Sequence, residues 1–125
     1  MSKTKNMLIV ENDLLQVFFL KRAIAHLGHY VIGTTDKGYR AIKLAIEHNP
    51  EVVLMDITLG GKLNGVETAE RIVQNTDCFI IFITGISTED VLKQAHKISS
   101  SIILSKPITA TMIQEAIENY SKRML

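Results

Sequence analysis

Five short apolar runs alternate with five segments of helical period, and this alternation limits the fold more than any single residue does. The runs "MLIV" (7–10), "YVIGT" (30–34), "EVVLMD" (51–56), "CFIIFIT" (78–84) and "SIILS" (101–105) have the length and composition of strands. Residues 13–27 place Val17, Leu20, Ile24 and Leu27 on one helical face and stop at Gly28. Residues 37–49 repeat Ala41, Leu44, Ala45 and His48 at helical spacing, and Pro50 ends the pattern. Residues 65–75 form a helix after a glycine-rich loop. Thr88 or Ser87 can cap a helix over 88–98, and Thr109 one over 109–123. Five successive β–α units predict an α/β fold in which a parallel sheet carries helices on both faces. The fourth run is continuously apolar, as a strand buried on both faces must be.

The 125 residues are enough for one domain with a real core, and a single domain over 1–125 is expected. Lys plus Arg number 14 against 13 Asp plus Glu, which leaves no basic footprint for nucleic acid and no polybasic membrane patch. Any charge logic is therefore local. The lone Cys78 excludes an internal disulfide and lies in an apolar run, the place of a small core residue. "MSKTKN" leads into only four apolar residues, too few for a signal peptide or a membrane span, so a cytoplasmic location is expected. Met7, Met55 and Met112 read as core fillers. His26, His29, His48 and His96 lack ligand spacing and read as surface or packing residues.

In doubly wound sheets, ligands bind beyond the carboxyl ends of the strands, where the winding direction switches. Glu11, Asn12 and Asp13 follow the first run, Asp56 ends the third, Thr84 and Gly85 end the fourth, and Ser105, Lys106 and Pro107 end the fifth. Asp13 starts a helical pattern and reads as its N-cap rather than as a ligand. Glu11 and Asp56, with the neutral oxygen of Asn12, would make an oxygen-rich pocket for a hard divalent cation such as Mg2+. Lys106 is a point charge that can hold a phosphoryl oxygen. Thr84 can donate to another, and Gly85 leaves room for a group to approach. Asp56 is then a candidate nucleophile that forms an aspartyl phosphate. Singly, each residue would be an ordinary cap or surface charge; their joint placement at strand ends singles them out.

The stretches that carry this set, "LIVEND", "EVVLMDITLGGKLNGVETAERI", "IIFITG" and "ILSKP", resemble the receiver domain of two-component response regulators. Spacing agrees: Asp56 follows Asn12 by 44 positions, Thr84 follows Asp56 by 28, and Lys106 follows Thr84 by 22. "GHYVIGTTDKGYRAIKLAIEHNPEVVLMDI" is also similar to the family, so the likeness covers nearly the whole chain. The resemblance implies a flavodoxin-like (βα)5 sheet with strand order 2-1-3-4-5. It implies that Asp56 accepts phosphate from a histidine kinase or a histidine phosphotransfer protein. Glu11, Asn12, Asp56 and the backbone carbonyl of Thr58 take the metal positions; Thr84, Gly85 and Lys106 take the phosphoryl contacts. Phosphorylation would shift a two-state equilibrium on the helix 4–strand 5–helix 5 face, whose output partner the sequence does not name.

Three positions depart from the family pattern. Asn12 stands where an acid is usual, which removes one negative charge and predicts weaker Mg2+ binding. Gly60 replaces a proline four residues after Asp56, and Gly65 follows Asp56 by nine residues rather than eight, so Gly60 and Gly61 are expected to turn the longer loop. Ile103 occupies a switch position where an aromatic ring is common. Because of Asn12, a degenerate receiver that acts as a phosphorylation-independent interaction module stays open. An aspartyl-phosphate enzyme of the haloacid-dehalogenase type is disfavoured, since the nucleophile reads "DIT" and not D-x-D. A nucleotide binder of the same fold would need a phosphate loop where the acids stand, and G-x-x-x-x-G-K-[ST] is absent. The chain is thus expected to be a switch and not a metabolic enzyme, without a DNA-binding domain of its own. The first helix also carries Leu15, Phe19, Arg22 and His26 opposite its apolar stripe. This face admits fuller burial, a homodimer contact, or docking of the kinase partner through Leu15 and Phe19.

Overall fold

Alternation within each strand decides which helical layer its side chains feed. The computed structural model describes residues 4–59, 63–85 and 88–123. The expected turn at Gly60 and Gly61 and the alternative cap Ser87 lie outside the described residues. The elements run β1 (Asn6–Val10), α1 (Leu14–His26), β2 (Tyr30–Thr35), α2 (Gly38–His48), β3 (Val52–Asp56), α3 (Gly65–Asn75), β4 (Phe79–Thr84), α4 (Glu89–His96), β5 (Ser101–Ser105) and α5 (Ala110–Arg123). All neighbouring strands are parallel and the sheet order is β2-β1-β3-β4-β5. The doubly wound fold is therefore the one the alternation predicts.

Leu8, Val10, Val53, Met55, Ile80 and Phe82 point to one side, where Ala41, Ala45, Val66, Ala69, Ile72 and Ala95 of α2, α3 and α4 close over them. Met7, Ile9, Val52, Leu54, Phe79, Ile81 and Ile83 point to the other, under Leu20, Ala23 and Ile24 of α1 and Ile113, Ala116 and Ile117 of α5. The central strands β3 and β4 are buried throughout. Cys78 is buried just before β4, and burial pushes its thiol pKa up, as suits a packing residue. Tyr120 of α5 stacks on Phe79 with ring centroids 4.1 Å apart.

Both ends of α1 and α2 and the starts of α4 and α5 fall one residue inside the expected spans because the outermost residues serve as caps. Asp13 caps α1, and Gly28, at φ 84, follows its end. Asn49 ends α2 in the left-handed region, ahead of Pro50. The fourth helix is shorter than expected, ending at His96 and not at Ile98. Lys97 N–H donates to the Gln94 carbonyl at 3.2 Å and Ile98 N–H to that of Ala95 at 3.1 Å, so the last turn tightens to three residues. His48, read as a surface or packing residue, is exposed at the end of α2. His29 is the buried histidine. Its Nδ1 accepts Lys5 N–H at 2.9 Å and its Nε2 lies 3.1 Å from Gln114 Oε1, which puts the proton on Nε2 and ties the start of β1 to α5.

Candidate functional site

The strand ends are fixed by backbone bonds before any side chain acts. Glu11 N–H donates to the Thr35 carbonyl at 2.9 Å, Ile57 N–H to that of Ile83 at 3.1 Å, and Lys106 N–H to that of Thr84 at 2.8 Å. These bonds carry the sheet one residue past β1, β3 and β5, so Glu11, Asp56, Thr84 and Lys106 meet at one edge. Asp13 does not join them as a ligand. Its Oδ1 accepts Leu15 N–H at 3.0 Å and Gln16 N–H at 3.5 Å, the N-cap role expected of it.

The floor of the site is two buried acids. Asp56 is 2% and Glu11 3% exposed. Asp56 Oδ1 accepts the Thr58 N–H at 3.0 Å and the Thr58 hydroxyl at 3.1 Å. Glu11 Oε1 faces Lys106 Nζ at 3.8 Å and accepts Asp13 N–H at 3.4 Å. Glu11 Oε2 is buried without a hydrogen-bond partner. Burial, with Asp56 beside it, pushes the Glu11 pKa up to about 7, and Lys106 pulls it back only in part. Thr84 is buried at the end of β4, while Asn12, Thr58 and Gly85 are exposed at the rim. A Cβ at Gly85 would lie 3.7 Å from Lys106 Cδ, an ordinary contact, so the glycine leaves space above the acids.

This donor set fits a hard divalent cation. It is all oxygen: two carboxylates, the Asn12 amide and the Thr58 carbonyl. Glu11 Oε2 lacks a donor, and burial above all, then Asp56, raises the Glu11 pKa, so a cation here would favour a carboxylate that Lys106 compensates only in part. It is a lean site, since no cluster of three His, Cys, Asp or Glu exists among the described residues. The structure places Lys106 against Glu11, the neighbour of the acid it was expected to serve.

Other residues also find their places. Ile103 of β5 is half-buried against the α2–α3–α4 side of the core, opposite Phe82 in the sheet register. Leu15 is 81% and Phe19 40% exposed, which rules out full burial of that face. Leu14 and Phe18 are exposed as well, and the Arg22 guanidinium lies 5.8 Å from the centre of the Phe18 ring. The sequence reading passed over these two, although Leu14, Phe18 and Arg22 already stand at i, i+4 and i+8. It also passed over the positional role of Gly65. A Cβ there would sit 2.1 Å from the Asp56 carbonyl oxygen, and Gly65 N–H donates to the Ile57 carbonyl at 3.0 Å. A glycine just after the Asn64 cap, where helix formers are favoured, was the available signal.

Comparison with known proteins bears on the fold and the family. The family profile "Response regulator receiver domain" matches residues 7–118. The transcriptional regulatory protein PdtaR of Mycobacterium tuberculosis is 26% identical over 114 residues, covering 91% of this chain and 55% of that protein. The chain thus spans about half the length of that relative. The chemotaxis protein CheY of Thermotoga maritima is 27% identical over 119 residues, covering 94% of this chain and 98% of that one. Among solved structures, the signal receiver domain of a modulated diguanylate cyclase from Desulfovibrio desulfuricans superposes with a TM-score of 0.90. It is 32% identical over 97% of this chain and 96% of that one.

Proposed function

The chain belongs to the response regulator receiver domain family, and from that premise we propose that it is a phosphorylatable switch with Asp56 as the phosphoacceptor. The observation that carries the reading is the pair of buried acids at one strand edge with Lys106 3.8 Å from Glu11 and Thr84 beside them. The donor is a phosphohistidine on a histidine kinase or a histidine phosphotransfer protein. An Asp56 oxygen gives a lone pair to phosphorus, the P–N bond breaks, and the imidazole leaves with that electron pair and takes up a proton. Lys106, released from Glu11, and Thr84 then hold phosphoryl oxygens, while Gly85 leaves them room. Glu11, Asp56, Asn12 and the Thr58 carbonyl would hold Mg2+, which supplies charge neutralisation at the transferring group.

The exposed residues Leu14, Leu15, Phe18 and Phe19 at the start of α1 are the docking surface for the donor protein. The output surface is α4–β5–α5. Ile103 has no ring and no polar edge, so its part in that surface is apolar packing on the α4 side. The chemistry is confined to Asp56, and the chain is a switch, not a metabolic enzyme. The competing reading, a receiver that binds partners without phosphorylation, is favoured by the exposed amide of Asn12 where an acid would complete the metal site.

Intact mass after incubation with acetyl phosphate across an Mg2+ titration separates the two. One phosphoryl group adds roughly 80 mass units. The switch reading expects that adduct, its loss in Asp56→Asn, and a half-maximal Mg2+ concentration about tenfold lower in Asn12→Asp, the effect of restoring one carboxylate. No adduct on the wild type at any Mg2+ concentration would overturn it in favour of the interaction module.

A further inference from the structure

Asp56 carries one contact that phosphoacceptor chemistry does not require. Two donors from a single residue converge on Oδ1, the Thr58 N–H at 3.0 Å and the Thr58 hydroxyl at 3.1 Å. The backbone bond is the usual turn made by an aspartate with the residue two positions on. The hydroxyl bond is not dictated by the loop. Thr58 is exposed, its side chain has other staggered rotamers, and its hydroxyl proton is given to the carboxylate.

We propose that Thr58 is a positioning residue whose hydroxyl restrains Asp56 in its unphosphorylated form and thereby slows phosphoryl uptake. The proposal rests on Asp56 being the phosphoacceptor. During attack, one carboxylate oxygen forms the new P–O bond, the bond from phosphorus to the leaving group breaks, and that group departs with the electron pair. The carboxylate becomes an acyl phosphate. If Oδ1 is the spectator, it turns from a charged acceptor into a neutral carbonyl, and its hydrogen bonds fall to about half their strength. If Oδ1 is the attacker, it commits to phosphorus the electron density that the hydroxyl was using. In both cases the hydroxyl binds the ground state better than the transition state. An interaction of that sign slows the chemical step.

The test is the rate of phosphoryl uptake from acetyl phosphate at saturating Mg2+, followed by intact mass, for wild type, Thr58→Val, Thr58→Ala and Thr58→Ser. Thr58→Val and Thr58→Ala are expected to phosphorylate roughly tenfold faster than wild type, the rate equivalent of one hydrogen bond to a charged group. Thr58→Ser, which keeps the hydroxyl, is expected to match wild type. The Mg2+ midpoint should stay unchanged in all four, since the backbone carbonyl is retained. A side chain that only supported the loop would leave the rate unchanged or lower it. Rates at or below wild type in both Val and Ala variants, or a gain that merely follows a shifted Mg2+ midpoint, would overturn the proposal. A wild type that takes no phosphoryl group sinks the phosphoacceptor reading and this one with it. Equal rates on a competent wild type sink this one alone.

Discussion

Helices α1 and α3 both begin at the edge that holds the acids, yet they are built to opposite ends. α3 is capped at its start and buries Gly65, Val66, Thr68, Ala69 and Ile72 along its inner face. Asn64 and Glu67 form a reciprocal capping box at its start, with Glu67 N–H on Asn64 Oδ1 at 2.9 Å and Asn64 N–H on Glu67 Oε1 at 3.2 Å. Its first residue, Gly65, lies directly on the Asp56–Ile57 backbone. α1 has a one-sided cap at Asp13 and buries only Leu20, Ala23 and Ile24. Its outer face keeps Leu14 83% and Leu15 81% exposed. The comparison teaches a division of labour: α3 is seated against the Asp56 backbone from within, whereas α1 presents an apolar surface that no other described residue covers.

The largest effect should come from breaking the α3 side. In Gly65→Ala the new Cβ would meet the Asp56 carbonyl oxygen and the Ile57 Cα at 2.1 and 2.8 Å, both backbone atoms that no rotamer change can move. The expected cost is about 3 kcal/mol, or roughly 10 °C in thermal unfolding followed by circular dichroism. Gly85→Ala is the control on the same edge. Its Cβ would make an ordinary 3.7 Å contact with the Lys106 side chain, and its stability should stay within about 0.5 kcal/mol of wild type. A Gly65→Ala variant as stable as Gly85→Ala would show that α3 is not seated as tightly as described.

On the α1 side the expected effect is on transfer and not on stability. Phe19→Asp and Leu15→Asp place a charge on a surface already in contact with water. Both should melt within a few degrees of wild type. Each should slow phosphotransfer from a phosphohistidine donor protein that serves the wild type by about tenfold or more, the usual scale for a buried interface anchor. Phosphorylation by acetyl phosphate should be unchanged. Loss of both activities would mean that α1 supports the pocket after all, and the contrast with α3 would fail.

How much of this was legible in the sequence follows the same divide. The five units and the convergence of Glu11, Asp56, Thr84 and Lys106 were readable because period and strand-end position are properties of the chain itself, whereas the sheet order followed from the family resemblance. Asp13 as a cap and Cys78 as core were readable for the same reason, since local backbone geometry and apolar neighbours fix them. Gly65 and the Thr58 hydroxyl were not. Their roles depend on which backbone or oxygen lies across the loop, and spacing along the chain carries no record of that. Leu14 and Phe18 were missed because a helix apolar on two faces has no single stripe to mark its outside. The C-terminal end of α4 was missed because the last turn of a helix answers to local hydrogen bonding more than to period.

The smallest expected effect ties the comparison to pH. Glu11 has a pKa of about 7 in the folded chain against an ordinary value of 4.5. Between those values the folded chain binds more protons than the unfolded one, so stability falls as pH rises from about 4.5 through about 7 and then levels off. With divalent cations chelated, the loss should be on the order of 1 kcal/mol, read from urea midpoints at successive pH values. Glu11→Gln should flatten that slope and be the more stable chain at pH 8. Added Mg2+ favours the ionised carboxylate and should therefore raise the wild-type midpoint more at pH 8 than at pH 5. Phe19→Asp should keep the full wild-type slope, because the apolar face of α1 has no share in the acid pair. A slope that survives in Glu11→Gln would assign the titration to another group. A slope that changes in Phe19→Asp would show that the docking face and the acid floor are one coupled unit, not two separate ones.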